Sequence, residues 1–245
     1  MPDFLNQKTV ESEYTSSGKA EFFSSLVIKE LGTFAEKSTR VLDIGCGGGF
    51  HHRDDIQKSI GALTKDFVGI EPDPEAKCIP NFSIVHHTSL EDAPIPAASV
   101  DLAYCVMVLE HVMDPVSFFS KLDKILSADG VFYGFTVDSR HWFGAASSLL
   151  QNLGLKDLYL NLLRGNRGVD RYENFPTAYR CNTPTKLVQF MPAFDVTVFS
   201  LHKIGQMDFY MPKILKPLSH LIDRFTIFLG LPGSVLVVRA KRRTK

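Results

Sequence analysis

The chain has no CxxC pair, no surplus of either charge, one tryptophan and no apolar run long enough to cross a bilayer, and each absence narrows what it can be. Cys46, Cys78, Cys105 and Cys181 stand at spacings that match neither a zinc module nor a disulfide framework. That predicts reduced thiols in a cytosolic setting. Lys plus Arg equals Asp plus Glu at 27 each, so no global field draws the protein to nucleic acid or another polyanion. The opening MPDFLNQKTVESEYTSSGKAEFF lacks the basic flank and continuous apolar stretch of a secretory signal. A soluble, cytoplasmic protein is expected, its oligomeric state open.

What is present is order. Of 245 residues, 44% are hydrophobic, enough for one generous core. After a polar opening, GKAEFFSSLVIKELGTFAEK places Phe22, Phe23, Leu26, Val27, Leu31 and Phe34 near helical spacing. Strands are predicted at 40–45, 66–71, 82–87, 100–107 and 130–137, then at 194–203 and 233–242. Helices are predicted around 52–62 and in DPVSFFSKLDKIL, with Val116, Phe119, Leu122 and Leu126 on one face. Alternation of this kind argues for an α/β fold built on a doubly wound, mostly parallel sheet, because parallel neighbours need a crossover. The expected division is an N-terminal helical segment (1–38), a core (39–138), a helical insertion with an aromatic-rich loop (139–182), and a remainder (183–245) carrying a second insertion at 205–232.

Residues 41–50, VLDIGCGGGF, put four glycines directly after a predicted strand. Glycine permits positive φ and close approach of main chain to ligand, so the turn reads as a platform. A dinucleotide would ask for GxGxxG; Gly45 and Gly47 fill the first two places but Phe50 takes the third. Asp43, just before the turn, is a poor neighbour for pyrophosphate and a good one for a cation. A ligand with a sulfonium and an amino group, S-adenosylmethionine, satisfies both. Glu71, ending the next strand in VGIEPDPEA, can accept both hydroxyls of a ribose.

VLDIGCGGG, FVGIEPDPEA, SLEDAPIPAASVDLAYCVMVLEHV and LSADGVFYGFTV, in this order over residues 39–137, resemble the class I S-adenosylmethionine-dependent methyltransferases, closest to their small-molecule branch. The resemblance implies a Rossmann-like seven-stranded sheet with insertions after the fifth strand and between the sixth and seventh. It also implies a cofactor site of Asp43, Gly45, Cys46 and Gly47 at the methionine end and Glu71 with Pro72 at the ribose. Ser89, Leu90 and Glu91 fall beside the adenine, and Cys105 and Val106 at the methyl-transfer face. Relatives commonly carry aspartate at the position of Ser89, whose hydroxyl still accepts.

VMVLEHVMDP is similar to a stretch of the quinone-biosynthesis O-methyltransferases, some of which bind a metal there. Met107 replaces the first carboxylate, and a thioether is a poor ligand for a hard cation, so no metal is expected. Glu110 reads as a shaper of its loop and His111 as a candidate general base. The pairs His51–His52 and His86–His87, read as strand neighbours pointing to opposite faces, do not make a metal site. His141, in DSRHWF after the fifth strand, is a second candidate base, with Arg140 and Trp142 over the site's mouth. YENFPTAYRCNTPTKL offers Tyr172, Phe175, Tyr179, Arg180 and Asn182 to stack on a ring or sugar face and bond its hydroxyls, and Thr183 before Pro184 reads as a helix N-cap.

Ile214, Leu218, Leu221, Phe225 and Phe228 form an apolar helical stripe. Packing against the sheet is the favoured reading, and peripheral membrane contact through 211–232 with the basic tail RAKRRTK the other. The expected function is methyl transfer from S-adenosylmethionine to a small-molecule or lipid-linked sugar acceptor, at oxygen. The alternatives are a catalytically silent cofactor-binding module and a nicotinamide-dependent oxidoreductase.

Overall fold

The computed structural model describes residues 3–34, 39–144, 177–208 and 213–243, together with Ala146 and Gly154. Its centre is a seven-stranded sheet. The strands are β1 (Arg40–Ile44), β2 (Asp66–Ile70), β3 (Ile84–His86), β4 (Val100–Val106), β5 (Leu126–Val137), β6 (Phe194–Leu201) and β7 (Val235–Arg242). They lie in the order β3-β2-β1-β4-β5-β7-β6; only β7 is antiparallel to its neighbours. All seven expected strands are present, trimmed at their ends or, for β5, extended.

Among the described residues six α-helices flank the sheet: α1 (Gln7–Ser16), α2 (Lys19–Gly32), α3 (Asp54–Ala62), α4 (Pro115–Ile125), α5 (Pro184–Phe190) and α6 (Lys216–Phe228). Because successive strand residues face opposite ways, each strand feeds two cores. Leu42, Ala103 and Phe132 join Phe119 and Leu122 of α4 and Leu187 of α5 on one face. Val41, Tyr104 and Tyr133 join Phe22, Phe23, Leu26 and Val27 of α2 on the other.

Local chemistry explains the helix ends. The Asp114 side chain accepts from Val116 N and Ser117 N ahead of Pro115, and Thr183 accepts from Lys186 N ahead of Pro184, the proline filling a first-turn position where its missing N–H costs nothing. Two expectations are corrected. The polar opening holds its own helix, α1, capped by Asn6. And the buried face of α4 is Pro115, Phe118, Phe119, Leu122 and Ile125, leaving Val116 64% exposed. At 100° per residue Val116 lies about 120° around the helix from Leu122.

Strand direction also corrects the grouping of the basic tail with the second insertion. Val235 pairs with Val137 at the carboxyl edge of the parallel strands, and Lys241 pairs with Val131 toward the opposite edge. The tail therefore leaves the sheet at the far end of β7, roughly 25 Å from Val235 at about 3.4 Å per residue.

The two layers are riveted by one buried ion pair. Glu30 of α2 accepts from Arg239 Nε at 2.9 Å, Arg239 Nη2 at 2.7 Å and Tyr133 Oη at 2.8 Å. Removing one partner strands the other charge in a dry core. Arg239→Ala is expected to lower unfolding free energy by about 3–5 kcal/mol, measured by denaturant titration; a loss typical of a surface pair would show that the contact is not structural.

Candidate active site

The sheet order reverses at β1, which is flanked by β2 on one side and β4 on the other, and ligands on doubly wound sheets bind beyond the strand ends at such a point. Asp43 lies there in register with Gly69 of β2 and Tyr104 of β4. The chain then turns through Gly45 at φ +80°, Gly48 at +75° and Gly49 at +78°. A Cβ on Gly45 would collide with the Val108 side chain, and one on Gly47 would sit 2.6 Å from Glu71 Oε2 and 2.8 Å from Ala76 Cβ. The loops after β1, β2 and β4 thus converge on bare main chain.

Two acids border this ledge. Asp43 is buried, and its Oδ2 accepts from Tyr104 Oη and from Gln57 Nε2, both at 2.7 Å. Burial pushes its carboxyl up to about 7; the two hydrogen bonds oppose the shift and the nearby Glu71 adds to it. Glu71 is buried too, accepting from Gly47 N at 2.9 Å and Asp73 N at 3.0 Å. Gln57 Oε1 is a third buried acceptor, with no hydrogen-bond partner. Two buried acids whose hydrogen-bond donors are neutral groups, beside a turn where neighbouring side chains leave no room for a Cβ at Gly45 or Gly47, suit the cationic donor and leave a pyrophosphate without a counter-charge.

The other cofactor expectations divide. Cys46 is buried with its Sγ 3.7 Å from Cys78 Sγ, so only its main chain faces the ledge. Pro72 is exposed at the strand end. Leu90 is buried in the core and offers only backbone, while Glu91 is half-buried. Ser89 Oγ donates to Asp92 Oδ2 at 3.0 Å, so an acid that sequence reading passed over serves this loop. Cys105, in register with Ile44, is fully buried in the core on the α4 side, and Val106 is half-buried on the α2 side.

The loop after β4 is organised by Glu110. Its Oε2 accepts from Thr136 Oγ1 at 2.7 Å, and its carbonyl accepts from Ala178 N at 2.7 Å and Tyr179 N at 3.1 Å. Desolvation raises its carboxyl. This acid folds the 177–182 segment onto the loop after β4 and sets Tyr179, at φ +48°, beside the half-buried His111. Arg180 Nη1 donates to Met113 O at 2.5 Å, which ties the segment down. Asn182 is fully buried, donating to Thr136 Oγ1 at 2.7 Å, so it is structural and does not face an acceptor. Tyr172 and Phe175 lie outside the described residues.

Lys19, the first residue of α2, was invisible to motif reading. Burial pushes its ammonium down to about 8, with Glu110 opposing and Lys203 reinforcing the shift, which places it electrostatically next to Glu110. His51 is held down to about 4 by burial and then by Lys19. His51 and His52 occupy a turn at φ +50° and +67°, not a strand, so the argument from alternating strand faces fails for them.

His141 and its neighbours lie elsewhere. His141 is buried, its Nδ1 accepts from Phe143 N at 3.4 Å, and its Nε2 is 4.0 Å from Asp223 Oδ1 on α6. Burial lowers its pKa, with Asp223 opposing. Trp142 Nε1 donates to the same Asp223 oxygen at 2.9 Å. Arg140 is clamped on Asp138 by Nε at 3.0 Å and Nη2 at 2.7 Å. Trp142 ties the loop after β5 to Asp223 on α6, His141 packs beside that contact with its Nε2 beyond hydrogen-bond distance of the acid, and Arg140 is held within its own loop by Asp138.

Comparison with known proteins now decides the family. A methyltransferase domain family model matches residues 19–192. The chain belongs to that family. A ubiquinone biosynthesis O-methyltransferase of Haemophilus ducreyi is 32% identical over 47% of this chain and 51% of its own. A tRNA U34 carboxymethyltransferase of Shewanella baltica is 29% identical over 38% of this chain and 30% of its own. The chain spans about half the length of the first curated relatives it matches. An S-adenosylmethionine-dependent methyltransferase structure from Archaeoglobus fulgidus superposes with a TM-score of 0.56 at 15% identity, covering 97% of this chain and all of that one, and shows the shared fold. S-adenosylmethionine is the family's cofactor, and the ledge fits it.

A pH dependence follows. A cation beside Asp43 favours the carboxylate, so donor binding below about pH 7 must expel the proton that burial keeps there. Donor affinity should rise with pH up to about 7 and level off above it, with proton release detectable by calorimetry in buffers of different ionisation enthalpy. Asp43→Asn should bind weakly at every pH; an unchanged affinity profile in that variant would remove Asp43 from the site.

Proposed function

We infer that the chain transfers a methyl group from S-adenosylmethionine to a hydroxyl of a small-molecule or lipid-linked sugar acceptor. The observation that carries the donor half is the acid-bordered ledge: Asp43 and Gly45 with Gly47 for the methionine end, Glu71 for the ribose, and Ser89 with its partner Asp92 for the adenine-side loop. Bound there, the cofactor supplies an electrophilic methyl on a sulfonium. In-line displacement needs alignment and exclusion of water above all, and a base only for a weakly acidic nucleophile. In this division residues 39–138 serve the donor and 139–182 the acceptor.

On the acceptor side, His111 is the base candidate that stands at the end of β4, next to the Tyr179 segment that Glu110 organises. Tyr179 offers a ring face and a hydroxyl for a sugar or phenol, and Lys19 a partly neutralised amine. The relatives named above act on a quinone precursor pathway and on tRNA by their names, so kinship alone does not select the acceptor; the even charge balance and the compact, aromatic acceptor side favour a small molecule over nucleic acid.

His111→Ala is expected to slow turnover by about 10²–10⁴-fold while leaving donor affinity intact. The assay is release of S-adenosylhomocysteine from labelled donor with hydroxylated acceptors or fractionated extract. Undiminished turnover in the variant removes the base assignment, and tight donor binding with no turnover on any acceptor supports a silent binding module instead.

A further inference from the structure

Helix α6 is amphipathic in an inverted sense. Its buried residues are polar: Ser219, Asp223 and Thr226. Its apolar stripe points outward, with Leu218, Leu221, Phe225 and Phe228 between 54 and 83% exposed and Ile214 on the preceding turn 86% exposed. The orientation is set by Asp223, whose carboxylate accepts from Trp142 Nε1 and from Gly205 N, both at 2.9 Å. Turning the stripe inward would pull this acid away from both donors and leave them unpaired. The core-packing expectation for the stripe is therefore overturned.

The exposed charges on residues 213–231 are cationic, with the half-buried Asp208 paired to Lys216 and His220 beside them. Lys213 and Arg224 are exposed, Lys216 is half-buried 3.8 Å from Asp208, and the helix's only acid is the buried Asp223. A patch of Leu, Ile and Phe this size, rimmed by cations and without an exposed acid between 213 and 231, complements an anionic interface. Beside it lies a cleft of about 990 Å³ lined by Glu11, Arg140, Lys203, Ile204, Ile227 and Leu231 among others; Ile227 and Leu231 are exposed on the patch as well and line both. No described helix is long and apolar enough to cross a membrane, so the contact would be peripheral.

We propose that residues 213–231 dock the protein on an anionic bilayer surface, α6 lying in the interface plane with Leu218, Leu221, Phe225 and Phe228 inserted and the cleft opening toward lipid. The basic tail takes no part, since it leaves the opposite edge of the sheet. The proposal does not depend on the identity of the acceptor.

Flotation of the full chain with phosphatidylcholine vesicles, with and without phosphatidylglycerol, tests it. The wild type should float with the anionic vesicles and bind neutral ones about tenfold less. The paired change Phe225→Ser with Phe228→Ser should weaken anionic-vesicle binding by about tenfold or more, and Lys213→Glu with Arg224→Glu should abolish the preference for anionic lipid. All four side chains are exposed, so circular dichroism and melting should be unchanged; if the serine pair melts early, Leu221→Asn alone replaces it. Failure of the wild type to float, or equal flotation of the serine pair, overturns the proposal. So does a wild-type dimer in analytical ultracentrifugation that the serine pair dissociates without any vesicle binding, which would assign the face to a second copy.

Discussion

Everything at the site depends on keeping an acid out of water at the end of β1. Asp43 is buried between two strands and held from below by Tyr104 and Gln57, which come from β4 and α3. An unpaired carboxylate in such a place is costly, and the chain meets the cost by hydrogen bonding and by keeping the proton up to about pH 7. The same arrangement makes the spot selective: a ligand that brings positive charge relieves the strain on Asp43, and one that brings phosphate increases it. Glu71, two loops away, extends that selectivity to the far side of Gly47.

The fold turns this local chemistry into a working geometry. Parallel strands deliver the loops after β1, β2 and β4 to one edge, so that the glycine turn, Glu71 and the Glu110 loop meet without being near in sequence. Helix α2 brings Lys19 to the same edge, and the polar chain from Asn182 through Thr136 to Glu110 pins the 177–182 segment over it. A separate polar anchor, Asp223, fixes α6 on the neighbouring stretch of the edge, where its apolar stripe faces outward. The glycine ledge, the 177–182 segment proposed for the acceptor and the proposed membrane face therefore share one rim of the sheet.

Much of this was legible beforehand and some was not, for physical reasons. The seven strands could be read because buried parallel strands need continuous apolar runs, and the donor turn because four glycines after such a run have few other uses. Helix α1 escaped because its residues are mostly polar and only Val10 and Tyr14 are buried. The α6 stripe was visible from its period, but periodicity does not say which face a helix turns inward; a single carboxylate with two donors decided it. His141 reads as a candidate base from its place after β5, while its burial beside Asp223 depends on a long-range contact that local sequence does not show. Asn182 reads from sequence as an acceptor contact and Lys19 gives no signal, since the places of both depend on partners more than forty residues away in sequence.

The most direct test of the acid-bordered ledge is a calorimetric comparison of two ligands on the folded wild-type chain. S-adenosylmethionine should bind saturably at one site per chain, and NADH, which offers the ledge a pyrophosphate and no cation, should give no heat of binding. Saturable NADH binding with none for S-adenosylmethionine would contradict the account.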